Sequence, residues 1–345
     1  MSQASNAVIA KARAVCGNSL RSDDYTQMAA KENVAGVCAY LKQTERYGKI
    51  LASVNAQTVH RGQLESMLRR AVYGIFERFH TFDHTESRVF FKFIVSQLEI
   101  EQILSALQSV ASGVSMNYIA ALPMFLTKYS QIDLAPLGLA ESFAEAAELL
   151  RGTAYEKTVC PALIEAETTG RLNVCDIERR LYTEHYMKML KNVENGFKGK
   201  EKKELKRLIL GSIDMRNVVT LFRYTRLFGA EAQDAKEAML PFGRRLSDEA
   251  IERLAAISDI SKIAAELDSI GYGLRSQDMP ETVEVLTEKL NTDYLKKQLR
   301  LSRSSSVVYF AFMELLVVEL KNIRTVIEGI RYGLDSSAIL DMLVV

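Results

Sequence analysis

One helix is written three times in this chain, and that repetition restricts the fold more than any other feature. The copies read SQLEIEQILSALQSVASG from Ser96, SIDMRNVVTLFRYTRLFG from Ser212, and VVELKNIRTVIEGIRYGL from Val317. Aligned on an acid and an amide three residues later, they pair Glu99 with Gln102, Asp214 with Asn217, and Glu319 with Asn322. A glycine follows the acid after 14, 15 and 14 residues, at Gly113, Gly229 and Gly333, where a helix C-cap is expected. Upstream of each copy a short segment ends in tyrosine: Tyr47, Tyr155 and Tyr272.

A third marker extends the frame. Residues 20–41 and 246–267 align without a gap, so that Met28 meets Leu254, Val34 meets Ile260 and Val37 meets Ile263. The middle copy enters through Leu134, Leu137, Phe143, Ala146 and Leu150. The period is about 110 residues, far longer than a tetratricopeptide or HEAT unit. Each copy is therefore expected to be a small multi-helix domain, with bounds at 1–117, 118–232 and 233–345. Three like domains suggest a pseudo-threefold funnel or ring.

The expected class is all-α. Apolar residues recur at three- and four-residue spacing; Leu316, Leu320, Ile323, Val326, Ile327 and Ile330 make one such stripe, with Glu319, Lys321 and Arg331 off its centre. With five prolines, no Asp-Gly pair, and an Asn-Gly pair (Asn195-Gly196) that no alternating apolar segments flank, a substantial β domain is not expected. Pro123 and Pro136 bracket a break after the first repeat helix, Pro241 follows the second, and Pro161 and Pro280 are expected to fall between helices.

The acid and amide stand three residues apart on one helical face, where each needs a hydrogen-bonding partner if buried. The reading is a polar clamp that fixes each domain's register. A catalytic acid is the rival, and three copies of one acid in three domains argue against it. A helical enzyme would need convergent carboxylates with raised pKa.

Other features are weaker. His80 and His84, with Asp83 beside them, have the spacing of a metal pair, but too few further ligands accompany them, so no metal is expected. The basic run NGFKGKEKKELKR from Asn195 reads as a solvated helix start; contact with acidic protein residues or lipid headgroups is the alternative. It lacks the phosphate-loop spacing, and no dinucleotide fingerprint or Ser-His-Asp arrangement is visible. Neither a catalytic site nor a cofactor is expected. The apolar stretch after Ser306 reads as domain core.

Balanced charge, 44 basic against 43 acidic residues, argues against a nucleic-acid partner. Four scattered cysteines suit a reduced compartment. The charged N-terminal stretch is not expected to be a signal peptide. Residues 102–127 carry no charge, but their amides, serines, Gly113 and Pro123 make a helix ending at Gly113 the expectation rather than a membrane span. Any membrane association is expected to be peripheral.

Several segments, in order, resemble the family of C subunits of V-type and A-type ATPases, whose eukaryotic V-ATPase members are called d subunits. They are NAVIAKARAVCGNSL with DDYTQMA and LKQTERY, then SIDMRNVVTLFRYTRLFG, LPFGRRLSDEAIERLA and the closing ELLVVELKNIRTVIEGIRYGLDSSAILDMLV. Within the resemblance, Asp214, Asn217 and Arg223 match central-repeat positions; Glu319, Asn322 and Arg324 match C-terminal ones; Arg13 and Tyr25 match the N-terminal helices. The first copy departs, with Gln102 as its amide and Gln108 at the Arg223 position.

The resemblance implies a funnel-shaped, non-catalytic cap on the cytoplasmic face of a membrane. It would sit on the proteolipid rotor ring and receive the central shaft, linking ATP turnover to H⁺ or Na⁺ movement. No small-molecule substrate is implied. A non-catalytic helical adaptor in another assembly is the alternative.

Overall fold

The computed structural model describes residues 3–82, 88–113, 124–273 and 280–345. It is 75% helix, and no strand occurs among the described residues. The chain divides into two compact units, Met1–Leu68 with Phe197–Val345, and Arg69–Gly196.

In the first unit the Ser305–Arg331 helix is the central element. It packs against Gln3–Gly17, Ser22–Ala29, Val34–Leu41, Gly199–Leu227 and Val283–Leu301. From Val307 to Met313 it is apolar all round, and Val307, Val308, Tyr309, Ala311, Phe312 and Met313 are fully enclosed, as a helix contacted on every side requires. The Gly199–Leu227 helix packs on Val283–Leu301, Ala232–Ala238 and Asp248–Ala256. Met215, Val218 and Leu221 there meet Leu254, Ile263, Leu267 and Leu286 in one cluster.

In the second unit the Val89–Ser112 helix contacts Val174–Gly196, Phe143–Leu150, Leu134–Leu137 and Met124–Tyr129. Its buried face includes Phe90, Phe91, Ile94, Leu98, Ile103 and Leu107, repeating at helical spacing.

The same local grammar recurs three times. A first short helix (Ser22–Ala29, Leu134–Leu137, Asp248–Ala256) is followed by a second (Val34–Leu41, Phe143–Leu150, Ile260–Ser269). Each second helix starts at a side-chain cap: Asn33 accepts from Gly36 N at 2.9 Å, Ser142 from Glu145 N at 3.1 Å, and Asp259 from Ser261 N at 2.7 Å. Such caps are worth about 1 kcal/mol each, because the first turn has no intrahelical acceptors for its N–H groups. The three long helices end at glycines with φ of +64° (Gly113), +64° (Gly229) and +70° (Gly333), a conformation that Cβ-bearing residues resist.

Two proline readings need correction. Pro161 does not separate helices, since Glu156–Thr169 runs through it. Proline there removes one early backbone bond. Burial of Val159, Cys160 and Leu163, with the Cys160 thiol donating to the Ala147 carbonyl at 3.3 Å, holds the turn in place. Pro136 lies inside the one-turn helix Leu134–Leu137, where its missing N–H would be unsatisfied anyway. Pro123 is outside the described residues.

Candidate functional site

Each repeat-helix acid is buried, and each meets one of the three marker tyrosines. Glu99 accepts from the Tyr155 hydroxyl at 2.7 Å, from Ser130 Oγ at 2.7 Å and from Gln131 N at 2.8 Å. Asp214 accepts from the Tyr272 hydroxyl, from Arg244 N at 2.9 Å and from Arg245 N at 2.8 Å. Glu319 accepts from the Tyr47 hydroxyl at 2.7 Å, from Leu20 N at 3.0 Å and from Arg46 Nη1 at 2.8 Å.

The three sets share one geometry. The backbone donors Gln131, Arg244, Arg245 and Leu20 all precede the first short helix of a copy, and the tyrosine follows its second. The tyrosine always belongs to the next copy. Glu99 in the first copy takes Tyr155 of the second, Asp214 in the second takes Tyr272 of the third, and Glu319 in the third takes Tyr47 of the first. The pairing is cyclic along the chain.

The amides act one turn further on. Asn217 Oδ1 accepts from Leu240 N at 2.9 Å, while its Nδ2 donates to the Leu240 carbonyl at 3.0 Å. Asn322 does the same with Val344, at 3.0 Å and 2.7 Å. Gln102 is half-buried and makes no such two-point bond among the described residues. At the spacing of the other two, its partner backbone would fall at residue 124 or 125, beside residues outside the described set.

Arg223 and Arg324 stand apart from the carboxylates. Arg223 pairs with Glu284 at 3.0 Å and Arg324 approaches Glu65 at 3.9 Å, both more than half exposed. The cation in the third clamp is Arg46, which no sequence motif singles out. Its side chain is 4% exposed against Glu319 at 5%. The equivalent positions before Tyr155 and Tyr272 are Ala154 and Gly271. Arg13 donates to the carbonyls of Leu299 and Ser302 at 2.9 and 2.7 Å, and Tyr25 is buried against Asn322.

Burial shapes the electrostatics. It raises the Asp214 carboxyl above the usual range, against the opposing pull of Tyr272, the Arg244 and Arg245 N–H groups and the Arg244 charge. Burial, then the Asp214 charge, pushes the Tyr272 phenol upward; burial and Glu99 do the same at Tyr155, and burial and Glu319 at Tyr47. Each pair is thus a phenol donor on a carboxylate acceptor, which is the strong, charge-assisted arrangement. Both Asp214 oxygens are committed to donors, and the charge acting on it is a cation, which suits a positioning role and not proton transfer.

His80 stacks on Phe91 at 4.1 Å between ring centroids, while His84 and Asp83 lie outside the described residues. Among the described residues no group of three or more His, Cys, Asp or Glu side chains could hold a metal ion, and no helix is long and apolar enough to cross a membrane. The helix ahead of Gly113 ends at Ser112. In the basic run, Lys200 reaches Glu204 at 3.6 Å in the first turns of Gly199–Leu227.

The model for the ATP synthase (C/AC39) subunit family matches residues 8–342. An A-type ATP synthase C subunit from Thermococcus onnurineus is 25% identical over 80% of this chain and 70% of its own length. The Methanococcoides burtonii C subunit is 26% identical over 72% of this chain and 68% of its own. Its Thermococcus gammatolerans counterpart is 26% identical over 56% of this chain and 49% of its own.

Proposed function

The chain belongs to the ATP synthase (C/AC39) subunit family, and from that premise we propose that it couples the central shaft of a rotary ATPase to the membrane proteolipid ring. Family membership makes it a non-catalytic subunit of the complex. The proposal adds its place: a peripheral cap on the cytoplasmic face, carrying torque between ATP turnover and H⁺ or Na⁺ transport.

One observation carries the mechanical reading. The carboxylate–tyrosine clamp recurs three times and runs from copy to copy back to the first. The copies at 1–117, 118–232 and 233–345 then form a pseudo-threefold funnel, each lending its long helix to its neighbour. A torque-bearing part must not shear between its domains. Buried charge-assisted bonds joining successive copies resist that, as does close-packed core.

Flotation of the purified protein with liposomes containing the cognate proteolipid ring tests the placement, with ring-free liposomes as control and shaft proteins added second. Ring-dependent binding that then recruits the shaft is the expected result. Equal binding to bare liposomes, or binding to neither, would overturn it.

A further inference from the structure

A cavity of about 620 Å³ lies beside the second clamp. Its walls are the Gly199–Leu227 and Val283–Leu301 helices and the two loop segments that hold Asp214. The charge facing it is one-sided, with Arg244, Arg245, Lys296, Lys297 and Arg300 against the single acid Asp293.

Most of that charge has no ion-pair partner among the described residues, although the Arg244 charge also acts on Asp214. Arg245 is tied down, donating to the Ile270 carbonyl, with its guanidinium 5.7 Å from the Tyr272 ring centroid. The side chains of Arg244, Lys296, Lys297 and Arg300 form no ion pair or hydrogen bond among the described residues. Some cations elsewhere in the same unit are paired, as Lys321 is with Glu288, Arg253 with Glu266 and Lys236 with Asp248. Lys296 and Arg300 stand four apart on one helix, a like-charge spacing that costs stability unless something offsets it. Asn291 adds a neutral donor: its Oδ1 accepts from Ser212 at 3.0 Å, and its amide nitrogen has no acceptor among the described residues.

The cavities beside the other two clamps differ. That near Glu99, about 300 Å³, mixes two lysines with the carboxylate, two histidines and aromatic rings. That near Glu319, about 170 Å³, has one lysine beside the acid. The cationic lining is therefore peculiar to the second clamp and is no consequence of the repeat.

We propose that this cavity binds a small phosphate-bearing anion of the pyrophosphate or nucleoside polyphosphate class, held by Arg244, Lys296, Lys297 and Arg300. Its volume falls in the range of small-molecule sites, roughly 300–1,000 Å³. Guanidinium groups match phosphate oxygens two at a time, and ammonium groups add point charge. The site does not depend on docking to ring or shaft.

Isothermal titration of the full chain with pyrophosphate and with ATP tests it. The arms are wild type, Arg244→Gln/Arg300→Gln, and a charge-matched control, Lys198→Gln/Lys203→Gln, outside the cavity. The expected result is saturable binding, weakened at least about tenfold in the cavity variant and unchanged in the control. A parallel arm uses phosphatidylcholine vesicles carrying phosphatidic acid. Binding there, lost in the cavity variant, with none to soluble phosphates would identify a lipid headgroup as the source of the same chemistry. No phosphate binding in any arm, or equal weakening by the control, would overturn the proposal.

Discussion

Glu319 and Tyr47 lie 272 positions apart in the chain, and their side chains meet at 2.7 Å in a fully buried hydrogen bond. Arg46, one residue earlier, adds an ion pair to the same carboxylate oxygen. The C-terminal repeat helix is thereby fastened to the N-terminal segment by two adjacent side chains.

Removing the Glu319 charge leaves Arg46 buried without its counter-ion. Glu319→Gln is expected to cost about 3–5 kcal/mol of unfolding free energy, measured by urea denaturation. Arg223→Gln, which breaks an exposed pair with Glu284, is expected to cost at most about 1 kcal/mol.

Asp214 gives stability a particular pH dependence. Its folded pKa is raised by burial, so the folded state binds its proton more tightly than the unfolded state does. Its contribution is fully present below about pH 4 and is lost as pH rises through the raised value. Asp214→Asn has no such titration. The stability of the wild type relative to Asp214→Asn should therefore shrink from pH 4 to pH 7 in chemical denaturation; a constant difference would contradict the assignment.

Gly271 has φ of +89°, and a Cβ there would come within 1.6 Å of Arg245 Nη1. Gly271→Ala should therefore displace the Arg245 guanidinium and strain the backbone, at about 1–3 kcal/mol. Gly62→Ala has open space and sits near a helix start, so it should be neutral or stabilising by up to about 1 kcal/mol. Thermal melts of the two variants check the contrast.

Cysteine reactivity reports on the third clamp. Burial and the nearby Glu319 charge, against Arg46, push the Cys16 thiol up to about 12. Cys175 is exposed. Alkylation near neutral pH should modify Cys175 quickly and the half-buried Cys16 much more slowly, because the thiolate is the reactive form. Glu319→Gln should speed Cys16 labelling if it loosens the clamp.

Much of this fold is legible in the sequence. The all-helical class, the capping glycines, and the recurrence of acids, amides and tyrosines follow from local periodicity, which a chain displays directly. The partnership is not legible. Tyr47, Tyr155 and Tyr272 stand out as markers, yet which acid each meets depends on the path of the chain. Arg46 resembles any surface arginine until Glu319 removes the cost of burying it, and Glu319 itself reads as off-centre on its helix. Arg223 and Arg324 match by position but lie on solvated faces, where sequence pattern carries little information. Pro161 misleads because a single lost backbone bond near a helix start is outweighed by buried neighbours on both sides.

The most direct test of cyclic clamping is a double-mutant cycle on Glu319→Gln and Tyr47→Phe, read by equilibrium unfolding. Directly bonded partners should show a coupling free energy in the range of about 0.5–3 kcal/mol. Additive effects, with no coupling beyond error, would contradict a clamp that joins the last copy to the first.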